Sequence, residues 1–273
     1  MKRLLFTVYL LSTLAVKGQD TAGTVHIKLR AGYALPAATQ NIPAFINTSQ
    51  GNSVSYEQVN VSLGKGMHGA FAVTYIFHKN IGMEFGLDYL YGSAFTSSYN
   101  YSYDYQGKSY ISVLTNSLSA NTFCFVPSVV MSVPVGKATP FVRIGCRLGS
   151  GKINSESIYK DDLFGEITEK WIYDKGYAAG FDAAIGFNVN VGKRSALVLE
   201  LCAIGLSYAP VKGNMIESTV NGADQLEGLT KSKKSITYVK TYSGDSTDEN
   251  SPELKLKEHY PFSSVGINVG WIF

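Results

Sequence analysis

In eight stretches of this chain every second side chain is apolar, and a period of two dictates a strand with one apolar face. The stretch nearest the carboxyl end shows the pattern: Val265, Ile267, Val269, Trp271 and Phe273 point one way, and Ser264, Gly266, Asn268 and Gly270 point the other. Only Ile272 interrupts it. The clearest stretch sets Ile81, Met83, Phe85, Leu87, Tyr89 and Tyr91 against Gly82, Glu84, Gly86, Asp88 and Gly92.

The same phase can be read in six further stretches. Their apolar faces run Val25 to Tyr33, Met67 to Phe77, Phe123 to Val133, Val142 to Leu148, Phe181 to Val191 and Leu197 to Ala203. Pro127 lies on the apolar face of its stretch, where a proline is expected to mark a bulge or an edge. Short turns are expected at His78–Asn80, Pro134–Thr139 and Gly192–Arg194, and long polar connections over roughly 35–65, 93–115, 150–176 and 209–257.

An antiparallel sheet in water buries its apolar face and solvates the other. Here the second face is rich in Gly and Ala, which suit a narrow interior better than a wet surface. In lipid only a closed barrel pairs every strand hydrogen bond, and stretches of about 10 residues are long enough to cross when tilted. The residues therefore predict an all-β fold, an eight-stranded antiparallel up-and-down transmembrane β-barrel. Its aromatic girdles would be Tyr33, Tyr89, Tyr91 and Tyr208 at the long-connection end, with Phe77, Trp271 and Phe273 at the other.

The amino end fits an exported chain. Lys2 and Arg3 precede an apolar run from Leu4 to Val16, too short for the ~20 residues of a membrane-spanning helix but suited to a signal peptide. Cleavage is expected after Gly18, giving a signal peptide over 1–18 and a barrel domain over 19–273. Losing Lys2, Arg3 and Lys17 lowers Lys+Arg from 24 to 21, equal to the 21 Asp+Glu. A neutral mature chain gives no electrostatic reason to expect nucleic acid as a partner.

The leader, the stretch 81–92, the 123–148 hairpin turning at Val135-Gly136-Lys137, and the closing 265–273 stretch together resemble the Bacteroidetes-type outer-membrane β-barrel family. These are porin-like proteins with an OmpA/OmpX-style eight-stranded barrel. The resemblance implies an outer-membrane location, with lipid and lipopolysaccharide around a monomer and long loops outside. It also implies that Val265, Ile267, Val269, Trp271 and Phe273 are the signal read by the barrel-assembly machinery.

Candidate chemistry is sparse. Lys28, Arg30, Arg143 and Arg147 share the inward face with Glu84, Asp88, Asp182 and Glu200, a balanced set expected to fill the interior as a salt-bridge plug. Cys124, Cys146 and Cys202 show no disulfide or zinc spacing, and Asp245–Glu253 lacks the pattern of a calcium loop. His68 has no evident partner nearby in sequence. The alternating tyrosines from Tyr99 to Tyr105 suit either an adhesive or glycan-contacting loop or a hairpin extending the barrel. No enzymatic activity and no cofactor are expected. The expected role is structural, or interactive through the loops with an extracellular or envelope protein. The alternatives are a narrow channel for small solutes and a lipid A-modifying barrel enzyme.

Overall fold

A computed structural model describes residues 22–50, 54–192, 195–243 and 248–273, with the backbone alone over 40–60. The expected signal peptide, 1–18, lies outside the described residues. The strands are β1 (Thr24–Pro36), β2 (Gln40–Gln50), β3 (Val54–Val61), β4 (Gly66–His78), β5 (Ile81–Gly92), β6 (Phe95–Tyr105), β7 (Lys108–Ser132), β8 (Ala138–Asp161) and β9 (Gly165–Asp174). They continue with β10 (Tyr177–Asn190), β11 (Ala196–Ala209), β12 (Lys212–Val220), β13 (Ala223–Asp224), β14 (Ser235–Val239), β15 (Glu253–Leu256), β16 (Tyr260–Pro261) and β17 (Ser264–Ile272). One short helix, α1 (Lys231–Lys234), precedes β14.

The fold is all-β, and its main sheet has 15 strands, larger than the eight that the periodicity predicts. Pairing within it is antiparallel except between β14 and β15, and β2 and β3 form a separate ribbon. All eight alternating stretches are strands. The excess comes from the connections, which the sequence reading took for polar loops and which are themselves extended. β7 and β8 run 25 and 24 residues, well past the apolar stretches, and β6, β9, β12 and β14 pair alongside them.

Two turns make these extensions fold back. Gln106 and Gly107 have φ of 52° and 74°, and Asn221 and Gly222 have 51° and 80°. Positive φ at both central residues matches the twist of a two-residue hairpin. Asn221-Gly222 is the sequence signal for such a turn, and the reading by alternation passed over it.

The alternating strands share one pairing pattern. Ala31 opposes Gly69, Phe71 opposes Leu87, Leu87 opposes Phe125 and Phe125 opposes Leu148. Val142 then opposes Ile185, Ile185 opposes Leu201, Leu201 opposes Ile267 and Ile267 opposes Tyr33. Each of β1, β4, β5, β7, β8, β10, β11 and β17 is thus bonded on both edges to another of the same set. Pro127 behaves differently from the expectation: β7 keeps one register through it, Phe125 facing Leu148 and Ser128 facing Gly145, with no bulge. A proline has no N–H to give, and the ladder to β8 lapses at Val126 and Pro127 alone.

Exposure along these strands is inverted relative to a protein folded in water. On β5, Met83, Phe85, Leu87, Tyr89 and Tyr91 are exposed while Gly82, Glu84, Gly86, Asp88 and Leu90 are buried. Ile144 is 62% exposed beside Arg143 at 3%. The girdle expected of Tyr208 fails. Tyr208 is fully buried, its hydroxyl donating to the Gly151 carbonyl at 2.6 Å. The step Gly205-Leu206-Ser207-Tyr208 keeps the phase of Leu201 and Ala203, which sends Tyr208 inward. The other six girdle residues are exposed.

Candidate functional site

The buried side has three layers. Next to the short turns, Val130, Phe141, Ala196, Val198 and Ile272 pack together, which explains why Ile272 breaks the alternation: it fills the interior. Toward the long connections a larger apolar cluster includes Leu90, Cys124, Val126, Ile153, Ile204, Leu206 and Tyr208. The sequence reading missed part of this cluster, because it comes from segments outside the alternating strands. Val61, Leu63 and Phe262 are buried within it. The Leu63 N–H donates to the Pro261 carbonyl at 2.8 Å, and the Ser62 hydroxyl donates to the Ser263 carbonyl at 2.6 Å. Gly64 lies so close that a Cβ there would meet the Phe262 carbonyl oxygen at 2.4 Å.

Between the layers the chain brings together all eight charged residues read as inward. Lys28 Nζ lies 2.8 Å from Glu84, and Arg30 lies 3.1 Å from Glu84 and 3.2 Å from Glu200. Arg143 reaches Asp182 at 3.1 Å, Glu200 at 3.2 Å and Glu84 at 3.5 Å. Arg147 bridges Asp88 at 2.8 Å and Asp182 at 3.0 Å. Neutral donors complete the set: Thr74 donates to Glu84 and Asn268 to Glu200, both at 2.8 Å. Lys28 also sits over the Phe141 ring, 5.5 Å from its centroid, joining the charges to the apolar layer below. Four bases and four acids cancel. Each guanidinium lies against two or three carboxylates, and this attraction offsets the cost of burial, while Glu84 Oε1, Asp182 Oδ1 and the Nε atoms of Arg30 and Arg143 make no hydrogen bond.

His68, which sequence left without a partner, has one. Its Nδ1 lies 3.5 Å from Asp88, so it joins the upper edge of the network. The signal was the cross-strand pairing of β4 with β5, invisible from sequence distance. Cys124 and Cys202 are buried and Cys146 is exposed, all as free thiols. Among the described residues no group of His, Cys, Asp or Glu has the makings of a metal site.

The Ser207 hydroxyl lies 3.3 Å from His259 Nδ1, both exposed. A hydrolytic centre also needs a group that orients the imidazole and donors for an oxyanion. The neighbouring carboxylate, Glu258, instead accepts from the Tyr260 hydroxyl at 2.9 Å.

A second polar cluster lies at the far end of β6–β8. The Tyr103 hydroxyl donates to Asp161 at 3.0 Å, the Tyr159 hydroxyl at 3.2 Å, and Ser112 and the N–H groups of Leu163 and Phe164 donate to it too. Burial opposes the charge on Asp161, but these donors hold the carboxyl well below its usual range. Burial and then Asp161 push the Tyr103 hydroxyl up to about 12. A raised folded value means the hydroxyl's contribution is complete below the ordinary tyrosine value and is lost as pH rises through about 12. In an alkaline spectrophotometric titration, Tyr103→Phe should therefore remove an ionisation near pH 12 from the wild-type curve. Removal of an ionisation near the ordinary tyrosine value of about 10 instead would contradict the Tyr103–Asp161 bond.

No protein-family model matches the chain, and comparison with curated proteins returns no significant relative.

Proposed function

We propose that this chain is an outer-membrane β-barrel of eight antiparallel strands, closed to solutes, which acts as a structural or interaction protein through the sheet beyond its apolar band. The observation that carries this reading is the inverted exposure: a belt of Leu, Ile, Val and Phe faces out, while Glu84, Asp182 and Glu200 are at most 1% exposed. A contiguous apolar belt of that extent is a liability in water and a requirement in hydrocarbon. The pairing of β17 with both β1 and β11 supports closure, since lipid tolerates no unpaired edge. The 12 residues of β5 and the 14 each of β10 and β11 are long enough to cross. Export through a signal peptide over residues 1–18 belongs to the same reading, as does the resemblance to the Bacteroidetes-type barrels.

The filled interior favours the structural role over the channel. A path for ions would have to thread two apolar layers and a set of charges already paired with one another. The purified protein should insert into lipid vesicles and migrate on gels with heat-modifiable mobility. In planar bilayers it should give no sustained current. Stable open-channel steps from the wild type would replace this reading by the pore, and failure to partition into lipid would remove the membrane altogether. The lipid A-modifying reading finds less support, because the Ser207–His259 contact is exposed and the neighbouring Glu258 is engaged by Tyr260.

A further inference from the structure

The sheet beyond the apolar band has a face that the structural role leaves unused. Tyr99, Tyr101 and Tyr103 alternate along β6 and so share that face, and all three are half-buried. Their rings follow one another at 5.5 and 6.1 Å, and Tyr103 continues to Tyr110 of β7 at 5.7 Å. Their hydroxyls are tethered, Tyr101 to Tyr159 at 3.0 Å and Tyr103 to Asp161. Lower on the same face Trp171 of β9 stacks on Tyr173 at 6.1 Å with the planes 6° apart.

Strand register runs a polar row between these aromatic walls. Ser97 opposes Asn116, Asn116 opposes Ser157, Ser157 opposes Glu169, and Glu169 opposes Ser218. Ser157 donates to Asn116 at 2.8 Å. No lysine or arginine belongs to the row or to the rings beside it.

We propose that this face is a binding platform for an uncharged oligosaccharide. The inference rests on the reading that this end of the molecule faces the outside medium. Tethered rings present flat surfaces to the C–H faces of sugars at little cost in side-chain freedom. The half-buried middle of the row, Asn116, Ser157 and Glu169, with Ser97 and Ser218 buried at its ends, matches a short run of hydroxyls. A hydrocarbon or an apolar peptide laid there would strip water from those groups and offer no hydrogen bond in return. Glu169 lies in the row itself, while the bases that share the face lie outside it, Lys108 opposite Tyr105 and Lys255 opposite Tyr238 and paired with Glu253, so the row repels phosphorylated, sulfated or uronic-acid chains. That charge balance is what selects a neutral ligand.

The test uses the full mature chain in detergent micelles, with Trp271→Phe so that Trp171 is the sole tryptophan and is excited selectively over the tyrosines. The probes are maltohexaose, laminarihexaose, cellohexaose and chitohexaose, with heparin as the anionic comparison. At least one neutral probe should change Trp171 fluorescence saturably, and heparin should not. Tyr101→Ala should weaken binding roughly five- to tenfold, the loss of one seated ring, while Tyr101→Phe keeps most of it. Asn116→Leu, which keeps the size and removes the amide, should weaken binding as well. Protein that inserts into vesicles yet binds none of the four probes, or binds heparin in their place, overturns the platform. Unchanged affinity in Tyr101→Ala overturns it too. Saturable binding by protein that does not enter lipid would uphold the platform and sink the membrane reading instead.

Discussion

Replacing Arg143 with Ala should lower stability by about 3–5 kcal/mol, the usual consequence of removing one member of a buried charged set. Arg143 is the base with most partners, lying within 3.5 Å of Glu84, Asp182 and Glu200. Its loss takes a positive charge from among three carboxylates that cannot reach water, leaving Arg30, Lys28 and Arg147 to hold them. Asp182 keeps only Arg147, and Glu200 keeps only Arg30 and Asn268. Urea unfolding in lipid vesicles, followed by heat-modifiable mobility, would measure the change. Adding Glu200→Gln should recover a good part of it, because the second change restores neutrality. A single variant as stable as the wild type would mean that water reaches these charges, and the closed interior would have to be given up.

The second large effect lies on the opposite face. Leu87→Lys should cost about 2–4 kcal/mol and impair insertion, the penalty for a cation near the middle of the hydrocarbon. Leu87 is 43% exposed and sits between Phe71 and Phe125 on adjacent strands, in the belt and one outward position inside the girdle residue Tyr89. In an aqueous setting the same substitution would be close to neutral, within about 0.5 kcal/mol. Ser98→Lys, at an exposed position on β6 beyond the belt, provides the comparison and should change little. Equal effects at the two positions would argue against lipid around Leu87.

Much of the architecture was legible because a period of two carries two facts at once, a strand and the side each residue faces. Glu84 and Arg143 could be placed on one buried side by parity alone. Parity does not give register, so the meeting of Arg147 with Asp88 and Asp182, or of His68 with Asp88, could not be read. Tyr208 was misplaced by treating a strand-end tyrosine as a girdle residue when its own phase pointed inward. The extensions of β7 and β8 were missed because Ser, Thr, Asn and Tyr there do not alternate in hydropathy, and residues 113–117 and 154–159 are all half-buried rather than buried and exposed in turn. Val61, Leu63 and Phe262 were missed for a different reason: two segments of no particular period fold over one another at the mouth. Pro127 warns of the reverse error, since one lost N–H did not bend its strand.

The seam between β1 and β17 also bears on the timing of assembly. Lys28 opposes Ile272 across it, so the pairing waits until nearly the entire chain is in place. Loop closure over such a distance is slow, and partly built sheets expose an edge in the meantime. Without β1 the remaining strands contribute Glu84, Asp88, Asp182 and Glu200 against only Arg143 and Arg147, an excess of two negative charges. Lys28 and Arg30 arrive together on β1 and cancel it. The open intermediate would therefore be electrostatically incomplete, attracting the one strand whose cations fit and disfavouring a premature closure between wrong edges. A salt-bridge set that looks like passive filling in the finished molecule would then act earlier as a proofreading device for the last strand joined.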